Sequence, residues 1–264
     1  MRASICNNKL FPLTAVKGFL VVFVVLIYSC NSENAPDCFQ DAGEISRTEI
    51  DVDQFSKITV FEKISLILKQ GETQKVEIET GEYLLNDIVA EVLDDRLILR
   101  NGNGCNFFRA YGLTKVYITS PNISEIRSST GLPIKSDGAL GYTSLLLFSE
   151  SFTDPQAETT DGEFDLELDT GSLAIVVNGI AYFRLKGNTE NLNINIAAGD
   201  SRIDAENLLA NVVSLNHRGT NDIQINPQQS LSGVIRGTGD VISYNQPSIL
   251  EIEELYTGKL IFRD

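Results

Sequence analysis

The sequence predicts an all-β fold, a right-handed parallel β-helix or β-solenoid with coils of ~20 residues and an N-terminal β cap. Three observations predict it. Ile126, Leu145, Phe164, Phe183, Ile203 and Ile223 form a column of apolar residues in steps of 19, 19, 19, 20 and 20. Two residues on, Leu147, Leu166, Leu185, Ala205 and Ile225 form a second column, while Leu173, Ile175 and Val177 return as Leu192, Ile194 and Ile196, as Val213 and Leu215, and as Val234. Glycines recur at 179, 199, 219 and 239, where a residue that tolerates positive φ turns a corner. Equal spacing places equivalent strands on successive coils, where they pair in parallel and stack like side chains inside.

The elements follow in order along the chain. Residues 1–29 read as an export signal, with Arg2, Lys9 and Lys17 ahead of the uncharged run Gly18 to Ile27. That run is shorter than the ~18 residues of a spanning helix. It ends in Ile27-Tyr28-Ser29-Cys30, which resembles a bacterial lipobox. The resemblance implies that Cys30 becomes an acylated N-terminus and ties the protein to a membrane. Residues 30–44 are polar and aperiodic, a tether. From Ile45 to about residue 120 short runs alternate with period two, as in Ile50 and Val52, Leu66 and Leu68, Val76 and Ile78, and Leu97 and Leu99. This segment is expected to cap the solenoid or lie beside it, with one short helical turn somewhere in Glu82 to Leu93. The repeat array fills 120–245, and 246–264 are expected to close the far end, because open strand edges recruit other chains. A leucine-rich repeat has a similar period but needs a helical side and an asparagine ladder, and neither pattern is present.

Charge and cysteines narrow the setting. The chain carries a net charge of −15 with 21 basic and 36 acidic residues, and removal of the leader, with three basic residues and no acidic one, takes it to −18. Such a chain repels phosphate backbones, so nucleic acid is not expected as a partner. Of four cysteines, Cys6 lies in the leader and Cys30 in the lipobox. Cys38 and Cys105 remain, an even pair in an oxidising compartment, and are expected to form a disulfide.

Further along, the residues resemble a known family. Phe55, Ile58 and Val60, the run Ile64 to Gly71, Leu84-Leu85 and Leu97-Ile98-Leu99 are similar to its N-terminal half. Arg218-Gly219-Thr220-Asn221-Asp222-Ile223 and Arg236-Gly237-Thr238-Gly239-Asp240-Val241, then Tyr244 and Pro247, resemble its repeated turns. The family is the putative auto-transporter adhesin, head GIN domain, and the resemblance runs over roughly 45–255. The turn Gly199-Asp200-Ser201-Arg202-Ile203 departs from it by lacking a second glycine. The resemblance implies exported lipoproteins with a β-solenoid fold, and no known activity.

Four groups of residues bear on chemistry. Asp161, Glu163, Asp165, Glu167 and Asp169 alternate with apolar residues, so a strand projects all five carboxylates from one face. Water and salt screen such a stripe at an exposed site. It is also a candidate cation site, since calcium takes 6–8 oxygen ligands, although the glycine-rich nonapeptide of calcium β-rolls is absent. Calcium is the only cofactor the sequence suggests. Asp200, Asp222 and Asp240 each follow a corner and read as turn caps, with a stacked cation-binding ladder as the alternative. His217, the one histidine, precedes a corner and reads as a surface residue. With no G-x-S-x-G elbow, it makes a poor base for nucleophilic hydrolysis. Phe107-Phe108-Arg109-Ala110-Tyr111 is the densest aromatic cluster, read either as packing over the end of the fold beside Cys105 or as a sugar platform.

These readings point to a non-catalytic lipoprotein of the cell envelope, at the outer membrane or cell surface, acting as an adhesin or scaffold. A glycan or another envelope protein is the expected partner. The alternative is a polysaccharide lyase or glycosidase on a β-helix, by analogy of fold. A groove pairing Asp165 or Glu167 with a basic residue of the next coil would favour catalysis, and a featureless flank would favour binding.

Overall fold

The computed structural model describes Cys38 and residues 40–105, 110–152 and 159–263. The leader, Cys30, and Phe107, Phe108 and Arg109 lie outside the described residues. Among the described residues the fold is all-β, with seventeen strands joined in one sheet. Its pairings fall into two ladders whose inward side chains share one core.

The first ladder runs β5 (Ile88–Leu93), β6 (Arg96–Asn101), β2 (Lys57–Phe61), β8 (Glu125–Ser129) and β10 (Ser144–Ser149). It continues through the C-terminal halves of β11 (Glu163–Val177), β12 (Tyr182–Ile196), β13 (Arg202–His217) and β14 (Ile223–Ile235), and ends on β16 (Ile249–Glu254). The second ladder runs β1 (Ile45–Ile50), β4 (Lys75–Gly81), β7 (Lys115–Ser120), β3 (Ser65–Gln70) and β9 (Pro133–Leu140). The N-terminal halves of β11 to β14 extend it to β15 (Val241–Ser243) and β17 (Leu260–Phe262). Pairing is parallel throughout except where β5 meets β6 and where β4 meets β1 and β7.

Period-two burial builds these strands. In β11 the alternating Phe164, Leu166 and Leu168 are inward at 0–1% exposure. Neighbouring strands keep this register: Phe164 pairs with Phe183, Phe183 with Ile203, and Ile203 with Ile223. Leu173, Ile175 and Val177 sit opposite Leu192, Ile194 and Ile196, as their spacing predicts. A parallel ladder buried along one face needs such a match, because a slip of one residue would turn every apolar side chain outward.

The upper part of the predicted column is wrong. Leu145 pairs with Leu173, and Leu147 with Ile126 and Ile175, so both belong to the first ladder. The residue beside Phe164 is Ile134, thirty positions away. The segment between β10 and β11 lengthens this coil, and the 19-residue step to Leu145 is a coincidence of spacing.

The N-terminal segment also does more than cap. Ile58 pairs with both Leu97 and Ile126, and Leu66 with both Val116 and Ile134. β2 and β3 are therefore inserted between β6 and β8 and between β7 and β9, out of chain order. Only β4 and β5 run against the grain; β1, antiparallel to β4, returns to the common direction, and the three strands extend that end. The expected helical turn is a single 3₁₀ turn at Leu85–Asp87, followed directly by β5. A disulfide joins Cys38 to Cys105, Cα atoms 4.5 Å apart, beside these strands.

Of the corner glycines 179, 199, 219 and 239, only Gly199 adopts positive φ; at Gly179 and Gly239 close approach alone excludes a side chain, a Cβ standing 2.1 Å from the Thr160 hydroxyl oxygen and the Asn221 carbonyl oxygen respectively. Gly199 adopts φ +92°, and a Cβ there would stand 2.2 Å from the Gly179 carbonyl oxygen. Asp200 N–H donates to that same carbonyl at 2.8 Å, and Thr220 N–H donates to the Gly199 carbonyl at 3.1 Å. At this corner backbone thus lies directly on backbone, with no room for a side chain between neighbouring turns.

Candidate binding face

The outward side of the second ladder carries the densest polar chemistry. One row crosses seven strands in register: Tyr117, Ile67, Lys135, Asp165, Arg184, Asp204 and Gln224. At the spacing of paired strands it spans roughly 30 Å. Signs alternate through its middle, since Asp165 lies between Lys135 and Arg184, and Arg184 lies beside Asp204.

This row answers how the acidic stripe on β11 is tolerated. Glu163 forms an ion pair with Arg184, and Glu167 pairs with Lys186 at 3.1 Å. Bases on the adjacent strands offset the repulsion. Asp161 lies before the strand, and its carboxylate accepts a hydrogen bond from the Thr159 hydroxyl. Among the described residues, no three acidic, histidine or cysteine side chains are grouped to hold a metal ion. The Glu167–Lys186 pair meets half of the catalytic criterion set by the sequence. It is exposed on a strand face, however, and the side chains retain 42% and 61% of their accessible surface.

A hydrogen-bonded chain ties β12, β13 and β14 to Tyr244, the residue that follows β15. The Tyr182 hydroxyl donates to Asp204, whose other oxygen accepts from Arg202 Nε at 3.0 Å and Gln224 Nε2 at 2.9 Å. Tyr244 donates its hydroxyl to Gln224 Oε1 at 2.8 Å. The Arg184 and Arg202 guanidinium groups lie 4.6 and 5.5 Å from the Tyr182 ring centroid. The bond to Asp204, aided by burial, raises the Tyr182 pKa, so the phenol stays protonated. Two tyrosines thus flank a fixed row of amide, carboxylate and guanidinium groups.

Upstream on the same face lies a cleft of about 690 Å³ lined by Arg47, Ile67, Lys69, Lys75, Tyr117 and Lys135, among others. Arg47 stacks 3.5 Å from the Tyr117 ring centroid and reaches Glu77 at 2.7 Å. Glu77 is held below its ordinary pKa mainly by Arg47, and Glu79 by Lys115, which lies 2.7 Å away. Burial and the Glu79 carboxylate push the Tyr117 phenol up. Lys69 pairs with Asp137 at 3.2 Å, while Lys135 is exposed and has no ion-pair partner among the described residues. Within a strongly acidic chain this cleft gathers four cations.

The other sequence-selected residues lie elsewhere. Asp222 and Asp240 do cap turns, but on the following coil. Asp222 accepts from the Asp240 N–H and Asp240 from the Lys259 N–H, both at 2.8 Å. Asp200 accepts from the Thr220 hydroxyl. His217 is no surface residue. It pairs in register with Ile196 and Ile235 inside the first ladder and is fully buried. Gly219 N–H donates to its Nδ1 at 3.4 Å. Burial pushes its pKa down, which the carbonyls of Gly239 and Asn221 only partly offset. Its spacing had placed it two residues after Leu215, on the apolar side of the alternation, and that signal was available in the sequence. Tyr111 is exposed beside the disulfide region. The cleft was not legible in sequence, because Arg47, Tyr117 and Lys135 come from three distant segments.

Solved structures share this architecture. A putative adhesin from Bacteroides fragilis superposes with a TM-score of 0.72 at 21% identity, over 83% of this chain and 97% of its own. A putative adhesin from Parabacteroides merdae gives 0.57 at 18% identity, over 84% and 97%. A putative lipid binding protein from Parabacteroides distasonis gives 0.58 at 15% identity, over 84% and 98%. At these identities the likeness is one of fold. No curated protein matches the chain. The family model described as putative auto-transporter adhesin, head GIN domain, matches residues 54–247, most of the chain and both ladders, and the protein belongs to that family.

Proposed function

We propose that this protein is a non-catalytic adhesin of the cell envelope that holds an extended glycan along the outward face of its second ladder. The observation that carries this reading is the row from Tyr117 to Gln224, flanked by Tyr182 and Tyr244, with its hydrogen-bonding groups fixed on paired strands. A flat, polar face roughly 30 Å long suits a chain of sugars better than a single small molecule. Membership of an adhesin family supports a binding role and a place at the cell surface or envelope.

The finer points are part of the same proposal. Successive coils wind as a right-handed parallel β-helix. Cys30 carries the lipid that anchors the protein, with the tether of residues 30–44 holding the fold clear of the membrane. Calcium bridges the carboxylates left over on β11, Asp165 and Asp169, to acidic sugars.

A glycan array probed with residues 31–264, with and without calcium, tests the reading. Binding to a defined glycan that is lost in Tyr182→Ala and in Tyr244→Ala, at unchanged melting temperature, is the expected result. An array without hits, or hits indifferent to both variants, would remove it.

A further inference from the structure

The two ends of the stack are built differently. At the β6–β7 end, the core residues Leu97, Leu99, Val116 and Ile118 are at most 1% exposed, beneath the antiparallel strands β1, β4 and β5. At the other end no such cover exists among the described residues. Inward apolar residues from β10 to β15 are at most 5% exposed, but in the last coil the inward Leu250 and Phe262 are 41% and 39% exposed. Ile249, Leu255 and Tyr256 beside them are 56%, 49% and 62% exposed. Residues 246–264 therefore add a final coil rather than closing the core. β16 pairs with β14 and β17 with β15, each along one side only. The free sides present backbone N–H and C=O groups in strand geometry next to an uncovered apolar cross-section.

The outward residues indicate what fits there. Glu251 and Glu253 stand opposite Ser232 and Val234, both exposed, without ion-pair partners among the described residues. Glu254 is committed to Lys259 at 2.9 Å and to the Leu260 N–H at 2.9 Å. A strand added beside β16 meets Leu250 and Ile252 on its inward face and two free glutamates on its outward face. A second copy is a poor match. Its own edge strand β5 carries Glu91 outward, and pairing β16 with itself sets glutamate against glutamate.

We propose that the β16–β17 end is a docking edge, completed by an extended segment of another protein in which apolar residues alternate with lysine or arginine. Main-chain pairing supplies the affinity, and the alternation supplies the register. Apolar side chains extend the inward columns over Leu250 and Ile252, and cationic ones meet Glu251 and Glu253. The site is distinct from the glycan face, so either can fail alone.

The probes are synthetic peptides of alternating valine and lysine, of alternating valine and glutamate, and a scrambled valine–lysine control. The valine–lysine peptide is expected to bind the protein and to slow hydrogen exchange at Ile249–Glu254. In the double variant Glu251→Lys, Glu253→Lys it should bind about tenfold more weakly or worse, and the valine–glutamate peptide should take its place. Equal binding of the scrambled control, no protection at those amides in the wild-type protein, or indifference to the double variant would each overturn the proposal. Sedimentation of the protein alone as a dimer with those amides protected would assign the edge to a second copy and overturn it too.

Discussion

The ring of Phe183 lies flat on that of Phe164, centroids 4.6 Å apart and planes 4° from parallel. Both rings are fully buried, and Ile203 continues the column on the next strand. This stack reports on the register of the whole array. Phe183→Ala should cost about 3–5 kcal/mol in denaturant unfolding, through lost burial and the cavity left behind. Ile203→Asp should abolish the cooperative transition, since it buries an unpaired charge in the same column. A variant that melts with the wild type would mean that these side chains are not inside.

His217 predicts a pH dependence. Its folded-state pKa is lowered by burial, whereas the unfolded chain titrates near 6.5. The unfolded state therefore binds the extra proton first, and stability falls as pH drops below about 6.5, down to the folded pKa. The nearby Asp222 and Asp240 carboxylates moderate the effect without reversing it. His217→Ile, which restores the residue type of Ile196 and Ile235, should flatten the melting temperature between pH 7 and about 5.5. An identical slope in the variant would place the titrating group elsewhere.

Arg127 and Glu150 form an ion pair at 2.8 Å whose side chains are only 9% and 4% exposed. Arg127 also lies 4.4 Å from the Phe148 ring centroid. Arg127→Met should cost about 3–5 kcal/mol, because it strands a buried carboxylate. Restoring much of that loss in Arg127→Met, Glu150→Gln would identify the stranded charge as the cause. If the double variant is no more stable than the single one, the loss is one of packing.

Reduction of the Cys38–Cys105 disulfide opens a loop of 67 residues. The expected loss is about 4 kcal/mol, by release of the unfolded chain. Cys38→Ser with Cys105→Ser should reproduce it in denaturant titrations. Equal midpoints with and without reductant would show that the bond contributes nothing.

Cys30→Ser tests the anchor. The variant should leave the detergent phase for the aqueous one in a phase-partition assay, and retention in the detergent phase would point to a different membrane attachment.

The carboxylates at the corners show how far spacing carries. Asp222 and Asp240 were legible as caps because each follows a glycine in the sequence. Their acceptor role is played toward the coil that comes next, which only stacking reveals. The β11 stripe was legible as a face of a strand. Its neutralisation by Arg184 and Lys186 was not, since it depends on which strand lies beside it.

The sequence by itself determined the all-β character, the inward residues of β11 to β14 apart from Val234, which faces outward opposite Asn216, and His217, which it read as a surface residue, and the acidic face, because period-two burial is a local property of the chain. Only the tertiary structure decided where Leu145 and Ile126 belong, that β2 and β3 slot between later strands, and that one end of the core stands open among the described residues. Those outcomes depend on pairing between segments tens of residues apart, and a linear pattern does not encode which edges meet.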